Sequence, residues 1–267
     1  MAAAIFGLEG KKAIVVGGGR GMGESSANFL AEAGCDVAVL DVDEGRAQHG
    51  ADEVTKRGRK GIPIVADMLD AASARDAIKR AEEALGGLDV LVTIVGQAIF
   101  KPLFDLTDEE WDFDQNRNLR YAYVTATTAA KSMIDRGVDG RIVCIASMDG
   151  IMGSPFHAAY GAAKAGLISL VKSMADEWGR QGIRVNTVVP GSIATPRLPD
   201  NDSMREILDK SPLPIGRSGT TDEIGKAVLF LASDMSSYTT GSAVLVDGGW
   251  NASNIFDPRI VAVKKTL

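Results

Sequence analysis

Short, uninterrupted runs of apolar residues alternate along the chain with longer stretches in which apolar side chains return every three or four positions. The short runs predict strands at 12–17, 36–40, 61–66, 88–95, 141–146, 183–189 and 243–247. The longer stretches predict helices at 24–33, 43–58, 70–85, 107–136 and 220–233, with a further helix opened by Ser154-Pro155. A strand that is apolar on both faces must be covered on both, and strict alternation with helices favours parallel pairing. The expectation is an α/β protein: one doubly wound parallel sheet of about seven strands, helices on both faces, in a single domain.

Local signals sharpen the element ends. Thr107 with Glu110, and Thr220 with Glu223, have the spacing of capping boxes. Ser154 offers a capping hydroxyl and Pro155 costs no amide in a first turn. The helix over 107–136 carries Asn116 and Asn118 in its interior, where asparagine is mildly unfavourable. Either one is kept for a hydrogen-bonding task or both lie on an exposed polar face. Residues 192–215 contain Pro196, Pro199, Pro212 and Pro214 and read as a mobile loop of the kind that closes over a site. Residues 250–267 form a tail whose apolar run, Ile260 to Val263, suits a contact with a neighbouring subunit.

Composition narrows the function classes. A net charge of −6 disfavours nucleic acid and anionic membrane surfaces as partners. No span approaches the ~18 apolar residues of a membrane helix, and the first residues lack a basic, then apolar, leader pattern. A cytoplasmic protein is expected. With two histidines, His49 and His157, and two separated cysteines, Cys35 and Cys144, no metal cluster of the usual ligands is expected; the thiols read as reduced core residues.

Two stretches carry candidate chemistry. The first is Gly17-Gly18-Gly19-Arg20-Gly21-Met22-Gly23, set between a strand and a helix. Gly17 permits the tight turn, Gly21 the approach of a pyrophosphate, and Gly23 close packing of helix on strand, with the helix N-terminus facing the phosphates. Asp41 closes the next strand about 20 residues on, placed to bind ribose hydroxyls and repel a 2′-phosphate. It is alternatively an acid at the N-terminus of the following helix. NAD is therefore expected over NADP, although Arg20 beside the turn is suited to a phosphate. Asp67, at the end of the third strand, is placed for the adenine amino group.

The second stretch runs from Ser147 to Lys164. Tyr160 and Lys164 lie one helical turn apart on one face. A phenol is a poor base near neutrality unless a nearby ammonium favours its ionised form. Ser147, at the end of a buried strand, can aim its hydroxyl at the same point. Proton exchange between Tyr160 and an alcohol or carbonyl oxygen held by Ser147 is the chemistry this pattern suits.

The glycine turn, Asp41, Asn118, Ser147, Tyr160-x-x-x-Lys164 and Pro190-Gly191, in this order, resemble the short-chain dehydrogenase/reductase family from about Leu8 to Gly249. The resemblance implies a Rossmann-type fold and a catalytic set of Asn118, Ser147, Tyr160 and Lys164. In that set Tyr160 is the acid/base, Ser147 polarises the substrate oxygen, and Lys164 binds the nicotinamide ribose and depresses the tyrosine pKa. Asn118 would hold a water linking Lys164 to solvent. It also implies cofactor contacts from Gly17, Arg20, Gly21, Met22, Gly23, Asp41, Asp67, Met68, Gly96, Tyr160 and Lys164. Ile193 and Thr195 match positions that contact the nicotinamide carboxamide. A homotetramer packed through the helices from 107 and 155 is implied as well. The chain departs from the family where relatives have Asn-Asn-Ala-Gly: here the residues are Thr93-Ile94-Val95-Gly96, and Val16 replaces the usual threonine before the first glycine.

These features predict an NAD-dependent oxidoreductase interconverting a secondary alcohol and a ketone. Met148, Ile151, Met152, Phe156, His157, Leu198 and Met204 make the candidate pocket apolar and suggest a terpenoid- or steroid-like cyclic alcohol. Asp149 either contacts a polar substituent or caps a turn. Two other readings remain at this point: a 3-oxoacyl thioester reductase using NADPH, and a non-catalytic dinucleotide sensor.

Overall fold

A computed structural model describes residues 5–198, 201 and 213–252. Seven strands form one sheet: β1 (Lys12–Val16), β2 (Asp36–Asp41), β3 (Gly61–Val65), β4 (Val90–Thr93), β5 (Arg141–Ile145), β6 (Arg184–Pro190) and β7 (Ala243–Val246). Their spatial order is β3-β2-β1-β4-β5-β6-β7 and every pair is parallel. This is the expected Rossmann-type, doubly wound α/β sheet. Between the strands run α1 (Gly21–Glu32), α2 (Glu44–Lys56), α3 (Ala71–Leu85), α4 (Asp108–Gln115), α5 (Tyr121–Asp135), α6 (Ala158–Trp178) and α7 (Thr221–Ala232).

The central strands are sealed on both faces. β4 and β5 are buried at every position, and two apolar clusters, one on each side of the sheet, take alternate residues of β1: Ile14 and Val16 on one, Ala13 and Val15 on the other. That period-2 division explains the continuous apolar runs of the sequence. Both buried thiols are free, and burial pushes Cys35 up to about 12 and Cys144 up to about 11, so they behave as core residues.

Two element ends differ from expectation. The stretch 107–136 is one rod with a π-helical turn at Asn116–Arg120 joining α4 to α5. The extra backbone atoms of that turn re-aim Asn118 inward. Likewise, Ser154-Pro155 does not open α6. The Ser154 hydroxyl donates instead to the Asp149 carbonyl at 2.8 Å, Phe156 takes a left-handed φ of +65°, and the helix starts at Ala158. A tertiary bond to the preceding turn thus outcompetes a local cap. Thr107 and Thr220 do form their capping boxes.

Candidate active site at the carboxyl end of the sheet

In the order β3-β2-β1-β4, strands up to β3 are added on one side of β1 and those from β4 on the other, and the crevice at that switch point is where such sheets bind ligands. The glycine turn follows β1 directly. Gly17 and Gly21 have φ of +82° and +61°, the left-handed region open to glycine. A Cβ on Gly23 would run into the Gly17 carbonyl, so only glycine lets α1 start this close to the strand. Arg20 precedes α1 without a side-chain cap, which leaves the first-turn amides of Gly21, Met22 and Gly23 for a ligand. Gly96 tightens the other wall: a Cβ there would lie 2.8 Å from Asn118 Oδ1 and 3.2 Å from Lys164 Nζ. These cradles fit a dinucleotide lying across the strand ends.

At the far side of the turn, Asp41 is 8% exposed at the end of β2. Its Oδ1 accepts from Arg46 Nη2 at 2.7 Å, Arg46 Nε at 3.0 Å and the Asp43 amide at 3.1 Å. Arg46 was not evident from sequence; its place in the first turn of α2, five residues beyond Asp41, is the only local sign. Asp43, not Asp41, caps α2, accepting from the Arg46 amide at 2.8 Å. Asp41 thus lies beside the first turn of α2 without capping it. Asp67 accepts from the Leu69 amide at 2.8 Å, and Met68 is buried in the core. Met22 packs partly buried against the cluster on the opposite face. Ile193 is buried and bridges to Gly219, while Thr195 bridges to Leu198. Arg197, also missed from sequence, donates to the Gly96 carbonyl at 3.2 Å; desolvation first, then Arg20, Arg46 and Arg117 nearby, lower its pKa.

The second stretch gathers around the end of β5. Ser147 follows the strand, and Lys164, 2% exposed, reaches back from α6 to donate to the Ile145 carbonyl at 2.9 Å. Burial pulls the Lys164 ammonium down from 10.5 to about 8. Tyr160 lies one turn earlier, its ring centre 5.6 Å from Lys164 Nζ. Burial pushes its phenol up to about 12; the Ser147 hydrogen bond opposes this, whereas Asp149 and Asp114 add to it. The expectation that Lys164 lowers the tyrosine pKa is not met in this geometry, because desolvation dominates and the ammonium acts on the ring face rather than on the oxygen.

Asn118 is fully buried: its amide donates to the carbonyls of Gln97 at 3.0 Å and Asp114 at 2.9 Å, and its Oδ1 accepts from the Gln97 amide at 3.1 Å. The exposed-face alternative therefore fails for Asn118. Asn116 donates to the Leu69 carbonyl at 3.2 Å.

The pocket residues divide. Met152 and Leu198 are exposed, with Ile151, Phe156 and Phe100, and make an apolar rim on the segments that follow β4, β5 and β6. Met148 is corrected: at 2% exposure it is a member of the apolar core cluster and not of the exposed rim. Asp149 and His157 form a pair at 3.0 Å. Met204, Pro199, Pro212 and Ile260 to Val263 lie outside the described residues. Val95 packs against the glycine turn, where a Gly17 Cβ would come within 3.2 Å of it, and Thr93 is buried in β4; the altered segment serves the packing of the turn. Among the described residues no group of His, Cys, Asp or Glu is arranged to hold a metal, and no helix is long and apolar enough to cross a membrane.

Residues 16–251 match the family model described as enoyl-(acyl carrier protein) reductase. The chain is 33% identical to 2-dehydro-3-deoxy-D-gluconate 5-dehydrogenase of Dickeya dadantii (strain 3937), over 92% of this chain and 98% of that protein. It is 35% identical to L-rhamnose 1-dehydrogenase (NAD(P)(+)) of Sphingomonas sp. (strain SKA58), over 91% and 96% respectively. Among solved structures, a short-chain type dehydrogenase/reductase from Mycobacterium marinum superposes with a TM-score of 0.87 at 34% identity, over 94% of this chain and 99% of that one.

Proposed function

The chain belongs to the short-chain dehydrogenase/reductase family as an NAD(P)-dependent oxidoreductase of an alcohol–ketone pair, and we propose that it oxidises a secondary alcohol with NAD, using Tyr160 as acid/base. What supports the reading is the meeting of Ser147, Tyr160 and Lys164 at the end of β5, beside the wall formed by Gly96 and Asn118. A nicotinamide held here would supply a hydride acceptor for the substrate carbon and, in its oxidised form, a positive charge.

The protein's own residues do the rest. The substrate hydroxyl lies between Ser147 and Tyr160; Ser147 fixes its oxygen and Tyr160 takes its proton. In the reverse direction the phenol, which burial keeps protonated, gives its proton to the carbonyl oxygen. Lys164 binds the nicotinamide ribose and, with Asn118, connects the tyrosine to solvent. Gly17, Arg20, Gly21, Met22 and Gly23 receive the pyrophosphate. Asp41 binds the ribose hydroxyls through Oδ2, since its described bonds fall on Oδ1. Asp67 and the Met68 backbone take the adenine, and Ile193 and Thr195 the carboxamide.

The apolar rim supports an apolar cyclic, terpenoid- or steroid-like alcohol. A second reading, a polyhydroxylated sugar or sugar acid, is favoured by the Asp149–His157 pair next to Ser147 and by the substrates in the relatives' names. The groove bounded by Phe113, Leu119, Tyr123 and Leu170 on α4, the π-turn, α5 and α6 supports subunit packing as a homotetramer, which size-exclusion chromatography tests.

The decisive experiment is turnover of both substrate classes with NAD and NADP, for the chain and for Tyr160→Phe. Loss of about 10²–10⁴-fold in Tyr160→Phe with unchanged NAD affinity is expected. Undiminished turnover in that variant overturns the assignment of Tyr160. Activity confined to sugars moves the substrate to the second reading, and activity confined to NADP overturns the role of Asp41.

A further inference from the structure

The turn between β5 and α6 holds a carboxylate with three side-chain partners. Asp149 Oδ2 accepts from the Ser147 hydroxyl at 3.1 Å, and the Asp149 amide donates back to Ser147 Oγ at 3.2 Å. Its Oδ1 faces His157 Nε2 at 3.0 Å and the Ser154 hydroxyl at 3.4 Å. One oxygen therefore lies on the serine and the other on the imidazole. The His157 ring lies between Phe100 and Tyr160, with centroids 5.0 and 6.2 Å away, and its Nδ1 is buried with no hydrogen-bond partner among the described residues. Phe156, at φ +65°, brings His157 to this position at the start of α6. Such a conformation is disfavoured for an aromatic residue and persists only where surrounding contacts impose it.

We propose that Asp149, held in place by His157, is a positioning residue that orients the Ser147 hydroxyl and sets the proton affinity of Tyr160 through its negative charge. The proposal rests on the reading of Tyr160 as acid/base. Charged and titratable groups reach Tyr160 from every side: Asp114 from α4, Tyr121 from α5, Lys164 from its own helix, and Asp149 with His157 from the turn. Asp114 adds to that field but is paired with Arg117 at 2.8 Å. Asp149 has an imidazole and hydroxyls for side-chain partners, and its charge is felt at the phenol. A negative charge beside a phenol favours the protonated form.

The test uses the full chain with 3,5-difluorotyrosine at position 160, followed by fluorine NMR against pH, with and without Asp149→Asn. The amide keeps the size and a hydrogen-bonding oxygen but removes the charge. The fluorine titration midpoint is expected to fall by about half a pH unit in the variant. The rising limb of kcat/KM for alcohol oxidation in the ordinary-tyrosine protein should move with it, a roughly threefold gain on that limb. A midpoint that stays in place overturns the proposal, because a turn-capping role moves neither reading. A midpoint that falls while the turnover limb stays overturns Tyr160 as the base, and with it the premise of the proposal. Where Asp149→Asn does not fold, Asp149→Ser carries the same expectation.

Discussion

Replacing Lys164 by Met separates what the residue does for turnover from what it costs the fold. The ammonium is 2% exposed, and burial lowers its pKa from 10.5 to about 8. At about 1.36 kcal/mol per pH unit, that difference is a penalty of about 3 kcal/mol on the folded state. The sign follows from proton uptake. Below pH 8 both states are protonated and the folded state bears the full penalty. Between about 8 and 10.5 the unfolded chain alone keeps its proton, so stability rises with pH; above 10.5 the penalty is gone. From pH 7 to 10 the native chain gains about 2.5 kcal/mol relative to Lys164→Met, which has nothing to titrate there. The Ile145 carbonyl loses its donor in the variant, a pH-independent cost of about 1–3 kcal/mol, so the slope of the difference is the readout rather than its value at one pH. Urea unfolding of both proteins across this range measures it, and taking the difference cancels the other titrating groups. A difference that is flat with pH, or grows in the variant's favour, refutes the reasoning. Turnover of Lys164→Met should be lost throughout.

Two further outcomes follow from the site walls. Gly96→Ala puts a methyl group against Asn118 and Lys164, both held by hydrogen bonds, so a cost of about 1–3 kcal/mol should appear as a roughly ten- to hundredfold fall in kcat/KM; an unchanged value means that the wall yields. Arg46→Gln uncovers the Asp41 carboxylate and should sharpen preference for NAD over NADP by about tenfold, read as the ratio of kcat/KM values; an unchanged ratio removes Arg46 from cofactor selection.

The sheet was legible in the sequence because its central strands are buried on both faces, and double burial leaves continuous apolar runs such as Ile142–Ile145. The glycine turn was legible because close approach excludes every other residue at Gly23. What escaped depended on partners far along the chain or on a change of helical pitch. Ser154 resembles a cap, yet its hydroxyl is taken by Asp149. Asn118 gave an asparagine in a helix without the π-turn that points it inward. Periodicity gave Met148 as apolar without saying which side of the turn it occupies. The electrostatics of Tyr160 could not be read from the four-residue spacing to Lys164, because desolvation depends on the whole surroundings of the phenol.

The packing of α7 on α1 bears on the order in which the protein becomes competent during synthesis. A Cβ on Gly225 would come within 2.6 Å of the Phe29 ring, and Asp222 accepts from the Ser25 hydroxyl at 2.6 Å across 197 residues of sequence. The helix behind the glycine turn is thus covered by a segment that leaves the ribosome long after it. The first strands have their neighbours early, since β1, β2, β3 and β4 all lie before residue 94. Their phosphate-binding turn nevertheless waits, one helix face uncovered, until residues 221–232 emerge. A nascent chain stalled before that point should expose α1 to chaperones and bind the dinucleotide poorly, whereas one stalled beyond it should not.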